Sequence, residues 1–186
     1  MLTVNDLINS KSNKKLNFFW GHTPKVEGVV DKSCLSNWYP ASFKVGKTTY
    51  NCVEQYMMAQ KAKLFKDDEH YNNIMQSTDP KKIKWYGRMV RGFEYQTWED
   101  HKVKIVMEGC KAKFDQNPEL KEYLMSVKTG VFVEASPYDR IWGIGLKETD
   151  DRAKTPAKWC GENLLGFILT EIRDGYKKED KKNESK

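Results

Sequence analysis

The sequence is poor in the residues that build metal sites and disulfide frameworks. It has four cysteines and three histidines among 186 residues, with no CxxC pair. Zinc sites need closely spaced thiol and imidazole ligands, and none of these residues has that spacing. We therefore expect no metal and no cofactor. The cysteines are expected to be reduced thiols, as in a cytosolic protein: Cys34, Cys52, Cys110 and Cys160.

Long apolar runs are also absent. No run approaches the roughly 18 apolar residues that a membrane-spanning helix needs. Segment 1–15 (MLTVNDLINSKSNKK) has no apolar stretch typical of a secretion signal. No internal repeat is visible, which argues against a repeat array. The sequence thus predicts a cytoplasmic protein with no membrane partner.

The composition is sufficient for one closed core. Apolar residues make up 39% of the chain and aromatic residues 12%, and the net charge is +6. This positive net charge favours polyanionic partners, because Lys and Arg attract phosphate groups. Nucleotides carry such groups as well as long nucleic acids do. We expect a polar lead at 1–15, one domain at 16–176, and a charged, disordered tail at 177–186.

Hydrophobic spacing indicates few strands and many helices. Residues 16–20 predict a buried strand, and residues 36–50 predict a small sheet. From Cys52 onward helical periodicity dominates, and it is clearest at 100–115 and 163–176. The predicted fold class is α+β, one compact domain that is predominantly helical with a small β-sheet.

Two charged residues fall in the apolar sector of the helix that begins at Cys52. A helical wheel places Glu54 and Lys61 among apolar neighbours. The residues expected to face solvent are Gln55, Ala59, Lys63 and Lys66. Burying a charge costs on the order of several kcal/mol unless it is paired or used. A functional site explains this placement. A buried ion-pair network, or side chains that reach the helix edge, explains it equally well.

Segment 135–145 (ASPYDRIWGIG) is irregular and rich in functional groups. Asp139, Arg140 and Trp142 offer a carboxylate, a cation and a ring. Gly143 allows close approach of a ligand to the backbone, and successive N–H groups can hold phosphate. A plain turn accounts for the same pattern. Asn163, at the start of the last helix, is either a helix cap or part of a phosphate site.

Several segments in this order resemble the NADAR (YbiA-like) family. They are LNFFW, LSNWYPASF, YNCVEQYMMAQKAKLF, GRMVRGF, the isolated Trp98, KAKFDQNPELKEYL, VEASPYDRIWGIG and WCGENLLGFIL. The resemblance implies an α+β domain that hydrolyses N-glycosidic bonds of nucleotide-like compounds. The departures, at Cys52, Val53 and the lysine-rich end, leave the charged motif positions intact.

The resemblance implies two alternative substrates. The first is ADP-ribose linked to guanine in nucleic acid, with an ADP-ribosyltransferase toxin as a partner of some family members. The second is an early intermediate of riboflavin synthesis. We take the first as the prediction, with an ADP-ribose-type nucleotide and ADP-ribosylated nucleic acid as partners. A non-catalytic module that binds ADP-ribose or nucleic acid is the third alternative, and the joint presence of Glu54, Lys61 and Asp139 argues against it.

The resemblance also implies roles for individual residues. Glu54, Lys61 and Asp139 are the predicted catalytic residues. The predicted substrate-binding residues are Asn37, Trp38, Arg88, Trp98, Trp142, Gly143 and Asn163. Breaking a ribose C1–N bond builds positive charge on the sugar, so a carboxylate stabilises the transition state and a base activates water. In a second route, Lys61 with a lowered pKa forms a Schiff base with the open-chain sugar aldehyde.

Overall fold

The structure is a computed structural model that describes residues 1–10 and 14–184. Its α-helices are α1 (Val4–Asn9), α2 (Val53–Leu64), α3 (Asp68–Gln76), α4 (Pro80–Arg88), α5 (Tyr95–Gln116), α6 (Pro118–Ser126) and α7 (Leu164–Glu184). Its strands are β1 (Leu16–Phe19), β2 (Phe43–Val45), β3 (Thr48–Tyr50) and β4 (Val131–Glu134). The predicted class, α+β and predominantly helical with little sheet, is confirmed.

The chain divides into two compact units. The first unit comprises Met1–Ser36 and Glu119–Lys186, and the second unit is Asn37–Pro118. Across residues 1–10 and 14–184, no helix has both the length and the apolar character that crossing a membrane requires.

The second unit is organised around α2, which packs against α3, α4 and α5. The Cys52 thiol caps α2 by accepting the Gln55 N–H at 3.4 Å. The antiparallel β2–β3 pair contributes two rings to the core. Phe43 and Tyr50 stack at 5.9 Å between centroids, and Tyr56 of α2 meets Tyr50 edge-on at 4.9 Å. Local caps and one aromatic cluster thus fix the position of α2.

The predicted solvent-facing side of α2 is wrong for its first two turns. Gln55 and Ala59 are 2% and 0% exposed. The Gln55 amide donates to the carbonyls of Ile74 and Ser77 at the end of α3, at 3.1 and 3.0 Å. The wheel failed because three helices surround α2, and a helix buried on several sides has no single solvated face. Lys63 and Lys66, which were predicted for the same side, are exposed.

The core of the first unit lies on a parallel pair of strands. Leu16 of β1 is in register with Val131 of β4, and α7 packs against β4. The Thr170 hydroxyl of α7 accepts the Phe132 N–H at 3.0 Å and donates to the Gly166 carbonyl at 2.8 Å. A Cβ at Gly166 would stand 2.2 Å from the Phe132 carbonyl oxygen, so the close approach of helix and strand requires glycine.

The last helix is longer than the sequence predicts. α7 continues to Glu184, whereas the sequence predicts that it ends near residue 176. Lys177 explains part of the extension, because its ammonium donates to the Lys128 carbonyl and lies 3.9 Å from the Asp174 carboxylate. Residues 11–13 of the predicted lead and 185–186 of the predicted tail lie outside the described residues.

Candidate functional site

Glu54 lies in the first turn of α2 and is 3% exposed. Its backbone N–H donates to the Asn37 carbonyl at 2.8 Å, which supplies the acceptor that the helix itself lacks at this end. The Asn37 side chain is buried and accepts the Cys110 thiol at 3.7 Å. Asn37 therefore fixes Glu54 from the preceding segment. The positive end of the helix dipole favours the Glu54 carboxylate.

The buried Cys52 thiol beside Glu54 is a cap and not a nucleophile. Burial is the main cause that raises the pKa of Cys52 to about 11, and the Glu54 charge adds to the rise. Thiols react as thiolates, so a cysteine with a raised pKa stays protonated and inert near neutral pH. Glu54 is therefore the remaining candidate for chemistry near the start of α2, and its catalytic role stays a prediction.

Lys61 forms a second feature of the same helix, which we name the Lys61 cluster (Lys61, Gly87, Arg88, Phe93 and Trp98). The Lys61 ammonium donates to the Gly87 carbonyl at 2.8 Å. It lies 4.4 Å from the centroid of the Phe93 ring and 5.6 Å from that of Trp98. Contacts of this kind hold a cation over a π-face. The structure thus brings the predicted residues Lys61 and Trp98 together.

The surroundings of Lys61 alter its proton affinity. Burial lowers the pKa of Lys61 below its ordinary value, and the Arg88 cation lowers that pKa further. Both effects disfavour the ammonium form and increase the fraction of neutral amine at a given pH. A neutral amine is the form that attacks an aldehyde. The predicted Schiff-base route therefore has a physical basis, and Arg88 contributes to it.

Trp38, the remaining predicted residue of the second unit, is half-buried. The ammonium of Lys84, on α4, lies 5.7 Å from the centroid of the Trp38 ring. The predicted residues of this unit therefore occupy three places: Glu54 with Asn37, Lys61 with Trp98 and Arg88, and Trp38 with Lys84.

A buried carboxylate supports the segment that carries Phe93. Asp67 accepts the Arg91 backbone N–H at 2.7 Å and the Arg91 guanidinium at 2.9 Å. It also accepts the His70 backbone N–H at 3.2 Å and faces the His70 ring nitrogen at 2.7 Å. The Arg91 guanidinium is the main cause that holds the pKa of Asp67 far below its usual range. We name Asp67, His70 and Arg91 the Asp67 brace.

Asp139 occupies a tight turn of the first unit. Its carboxylate accepts the Ile141 N–H at 3.0 Å and the Trp142 N–H at 2.8 Å. Gly143 follows, where a Cβ would stand 2.8 Å from the Glu134 carbonyl oxygen, so only glycine fits without a shift. The plain-turn reading of this segment is thus correct for its backbone. The catalytic role of Asp139 and the binding roles of Trp142 and Gly143 stay predictions.

Asn163 is built into the scaffold of the first unit. It has φ of 55° and is 0% exposed. Its side-chain oxygen accepts the Glu134 N–H at 2.9 Å, and its amide donates to the Phe132 carbonyl at 3.0 Å. The next two N–H groups, of Leu164 and Leu165, donate to carbonyls of the Asp139 turn. These amides are engaged, so the structure gives no support to phosphate binding at this helix start, and substrate binding by Asn163 stays a prediction.

The sequence reasoning missed Phe93 and the Asp67 brace. Phe93 ends the GRMVRGF segment, so the motif contained the signal, although nothing local showed that its ring covers Lys61. Asp67 gave no signal beyond a capping position before a polar helix. Among residues 1–10 and 14–184, no group of three or more His, Cys, Asp or Glu side chains is arranged to hold a metal ion.

Comparisons with known proteins agree with this architecture. N-glycosidase R617 of Acanthamoeba polyphaga mimivirus is 43% identical over 162 residues, covering 84% of this chain and 94% of that protein. N-glycosidase YbiA of Escherichia coli strain K12 is 28% identical over 144 residues, covering 77% and 81%. The NMR structure of YbiA matches with a TM-score of 0.66 at 23% identity, over 88% of this chain and 87% of that one, which shows a shared fold.

A more distant relative is a larger protein, of which only a part matches this chain. Riboflavin biosynthesis protein VVA0006 of Vibrio vulnificus strain YJ016 is 27% identical over 140 residues, which are 75% of this chain and 34% of that protein. A family model described as the NADAR domain matches residues 18–177, and thus reaches into both compact units. The predicted family is confirmed: this chain belongs to the NADAR family.

Proposed function

We propose that this NADAR-family enzyme, a hydrolase acting on N-glycosyl bonds, removes ADP-ribose from guanine in nucleic acid. The observation that carries the proposal is the Lys61 cluster, in which one guanidinium, that of Arg88, and two aromatic rings surround the Lys61 amine. ADP-ribose presents two phosphates, an adenine ring and a ribose with a reactive C1. Cations form charge-assisted hydrogen bonds with phosphates, and aromatic rings stack on adenine.

Glu54 is the proposed acid–base residue. Loss of the guanine amino group from C1 leaves positive charge on the sugar, which a nearby carboxylate stabilises. The same carboxylate can accept a proton from the attacking water. Because Glu54 is buried at a helix N-terminus, its charge is held in place with little freedom to reorganise. Glu54 and Lys61 are seven residues apart, about 10 Å along the helix axis.

Lys61 offers a covalent route that can be tested directly. Ring opening of the substrate leaves an imine between C1 and the guanine amino group. The neutral Lys61 amine adds to C1, and the guanine amine leaves with a proton, so that C1 is now held as an imine of Lys61. Water hydrolyses this imine to release ADP-ribose and restore Lys61, whereas borohydride reduces it to a stable secondary amine. We expect a Lys61 adduct, detected by mass spectrometry of peptides, when substrate and borohydride are present together. Because the pKa of Lys61 is lowered, trapping should persist below the pH at which ordinary lysines react.

The matched control for trapping is Lys61→Arg, which keeps the cation and removes the nucleophile. Lys63, an exposed lysine of the same helix, should carry no adduct in either protein. An unmodified Lys61 peptide in an assay that turns over substrate would leave direct attack by water as the route.

A parallel assay of two substrates tests the proposed function. We expect release of ADP-ribose from an oligonucleotide carrying ADP-ribosylated guanine, followed by chromatography, and slower turnover of the pyrimidine intermediate of riboflavin synthesis. The Glu54→Ala protein should release nothing from either. The second candidate is favoured by the likeness to VVA0006, a riboflavin biosynthesis protein. Faster turnover of the pyrimidine intermediate would support that candidate and contradict our choice.

A further inference from the structure

Helix α4 presents a surface that the hydrolytic site does not use. Its sequence, PKKIKWYGR, has four cations and no acidic residue. Ile83 and Gly87 are buried against the second unit, while Lys81, Lys82 and Trp85 are exposed. We name these three exposed residues the α4 surface.

The exposed residues of the α4 surface follow the spacing of one helix face. Trp85 is four residues after Lys81 and three after Lys82, so the ring is one turn from both ammonium groups. No ion pair of Lys81 or Lys82 occurs among the pairs found in the described chain. Two cations therefore lie beside one ring on the same side of the helix.

Trp85 is exposed to an extent that packing does not explain. Its side chain is 57% exposed, and its ring meets Tyr86 edge-on at 5.1 Å between centroids. Apolar rings of this size are normally buried or used in binding. Aromatic rings beside cations are the pattern with which proteins bind single-stranded nucleic acids, because bases stack on the rings and phosphates contact the cations.

The α4 surface shares its helix with two members of the Lys61 cluster. Gly87 of α4 accepts the hydrogen bond of Lys61, and Arg88 ends the same helix. From Lys81 to Arg88 the helix rises about 10 Å. A strand that runs along α4 from Lys81 toward Arg88 is therefore directed toward the end of the helix at which Lys61 forms its hydrogen bond.

We propose that the α4 surface binds the single-stranded segment next to the modified guanine, with Lys81 and Lys82 on phosphates and Trp85 stacked on a base. This inference rests on the proposed function. Enzymes that act on a base must work on a single strand or unstack the target, so a neighbouring base is free to stack on protein. The surface contributes affinity for the polymer and leaves the bond-breaking step unchanged.

The test compares a polymer with a small substrate. Wild type, the double variant Lys81→Gln/Lys82→Gln, and Trp85→Ala are assayed on an oligonucleotide with one ADP-ribosylated guanine and on ADP-ribosylated guanosine. We expect each variant to raise KM for the oligonucleotide about tenfold, as lost stacking or phosphate contacts predict. The kcat/KM for the guanosine compound should not change.

Two controls separate this role from general charge and from folding. The variant Lys47→Gln/Lys104→Gln removes two exposed lysines elsewhere in the second unit and should leave KM unchanged. Trp85→Phe keeps a ring and should restore most of the affinity. For the Lys81/Lys82 variant, the slope of log affinity against log salt should flatten by about 1.4, or about 0.7 for each lost phosphate contact.

Fluorescence anisotropy measures the affinity of wild type and variants for an unmodified single strand. This measurement separates a failure of the α4 surface from a failure of the proposed function. If wild type releases no ADP-ribose, the proposed function fails, and a weaker strand affinity of the variants still supports the α4 surface. Equal strand affinity of the variants and wild type would overturn it. The proposal would also be overturned if the variants lost kcat/KM equally on both substrates. The same holds if the variants lost binding to phosphatidylserine vesicles while they still bound the single strand like wild type.

Discussion

Replacing Glu54 with Gln is expected to lower kcat by about 10²–10⁴-fold, the range that a positioned acid–base group contributes. Glutamine has nearly the shape of glutamate, so the packing around residue 54 is kept while the charge is lost. KM should change little, because the carboxylate acts mainly on charge that develops in the transition state. The measurement is steady-state kinetics on ADP-ribosylated oligonucleotide, with thermal unfolding to show that the variant folds.

Glu119→Gln is the matched control for Glu54→Gln. Glu119 is the second residue of α6, as Glu54 is the second residue of α2, but it is exposed. Both substitutions remove a charge from a helix N-terminus, and at the exposed Glu119 this costs about 0.3–1 kcal/mol of stability. Only the Glu54 variant should lose activity. Wild-type kcat in the Glu54→Gln protein would remove Glu54 from the mechanism.

The parts of the fold that local chemistry determines could be predicted from the sequence. Pro80 follows the capping Asp79 at the start of α4, and Pro118 opens α6, where both signals act within one helical turn. Pairing of β1 with β4 joins segments more than a hundred residues apart and has no local signal. Helix α3 was missed because Ile74 is its only buried residue.

For a similar reason, only part of the candidate site could be predicted from the sequence. Glu54 and Lys61 stand out on a helical wheel, because charges within an apolar sector break the pattern. The position of Phe93 depends on contacts made elsewhere, through Arg91 and the buried Asp67. Lys66, with φ of 57°, turns the chain into Asp67, and a left-handed lysine has no sequence signature. Tertiary contacts therefore decide what covers the amine.

Replacing Asp67 with Asn should lower the free energy of unfolding by about 2 kcal/mol at neutral pH, the size of hydrogen bonds to a charged group. An asparagine oxygen in the Oδ1 position still accepts the His70 N–H and the Arg91 Nη2–H, but the amide group in the Oδ2 position opposes the backbone N–H and the Nε–H of Arg91. The segment that carries Phe93 should loosen, and kcat/KM should fall as well. Asp68→Asn, at the adjacent exposed position of the first turn of α3, is the control.

At acidic pH, the free energies of unfolding of wild type and the Asp67→Asn protein should differ less than at neutral pH. The Arg91 guanidinium and the His70 and Arg91 N–H groups hold the pKa of Asp67 well below its unfolded value. The carboxylate therefore contributes its full stability above the unfolded pKa of about 4, and it loses this contribution as the pH falls toward the folded pKa. Urea unfolding at a series of pH values should show the two proteins converging below about pH 4. A constant difference across that range would mean that packing, and not the Asp67 charge, supports the Phe93 segment.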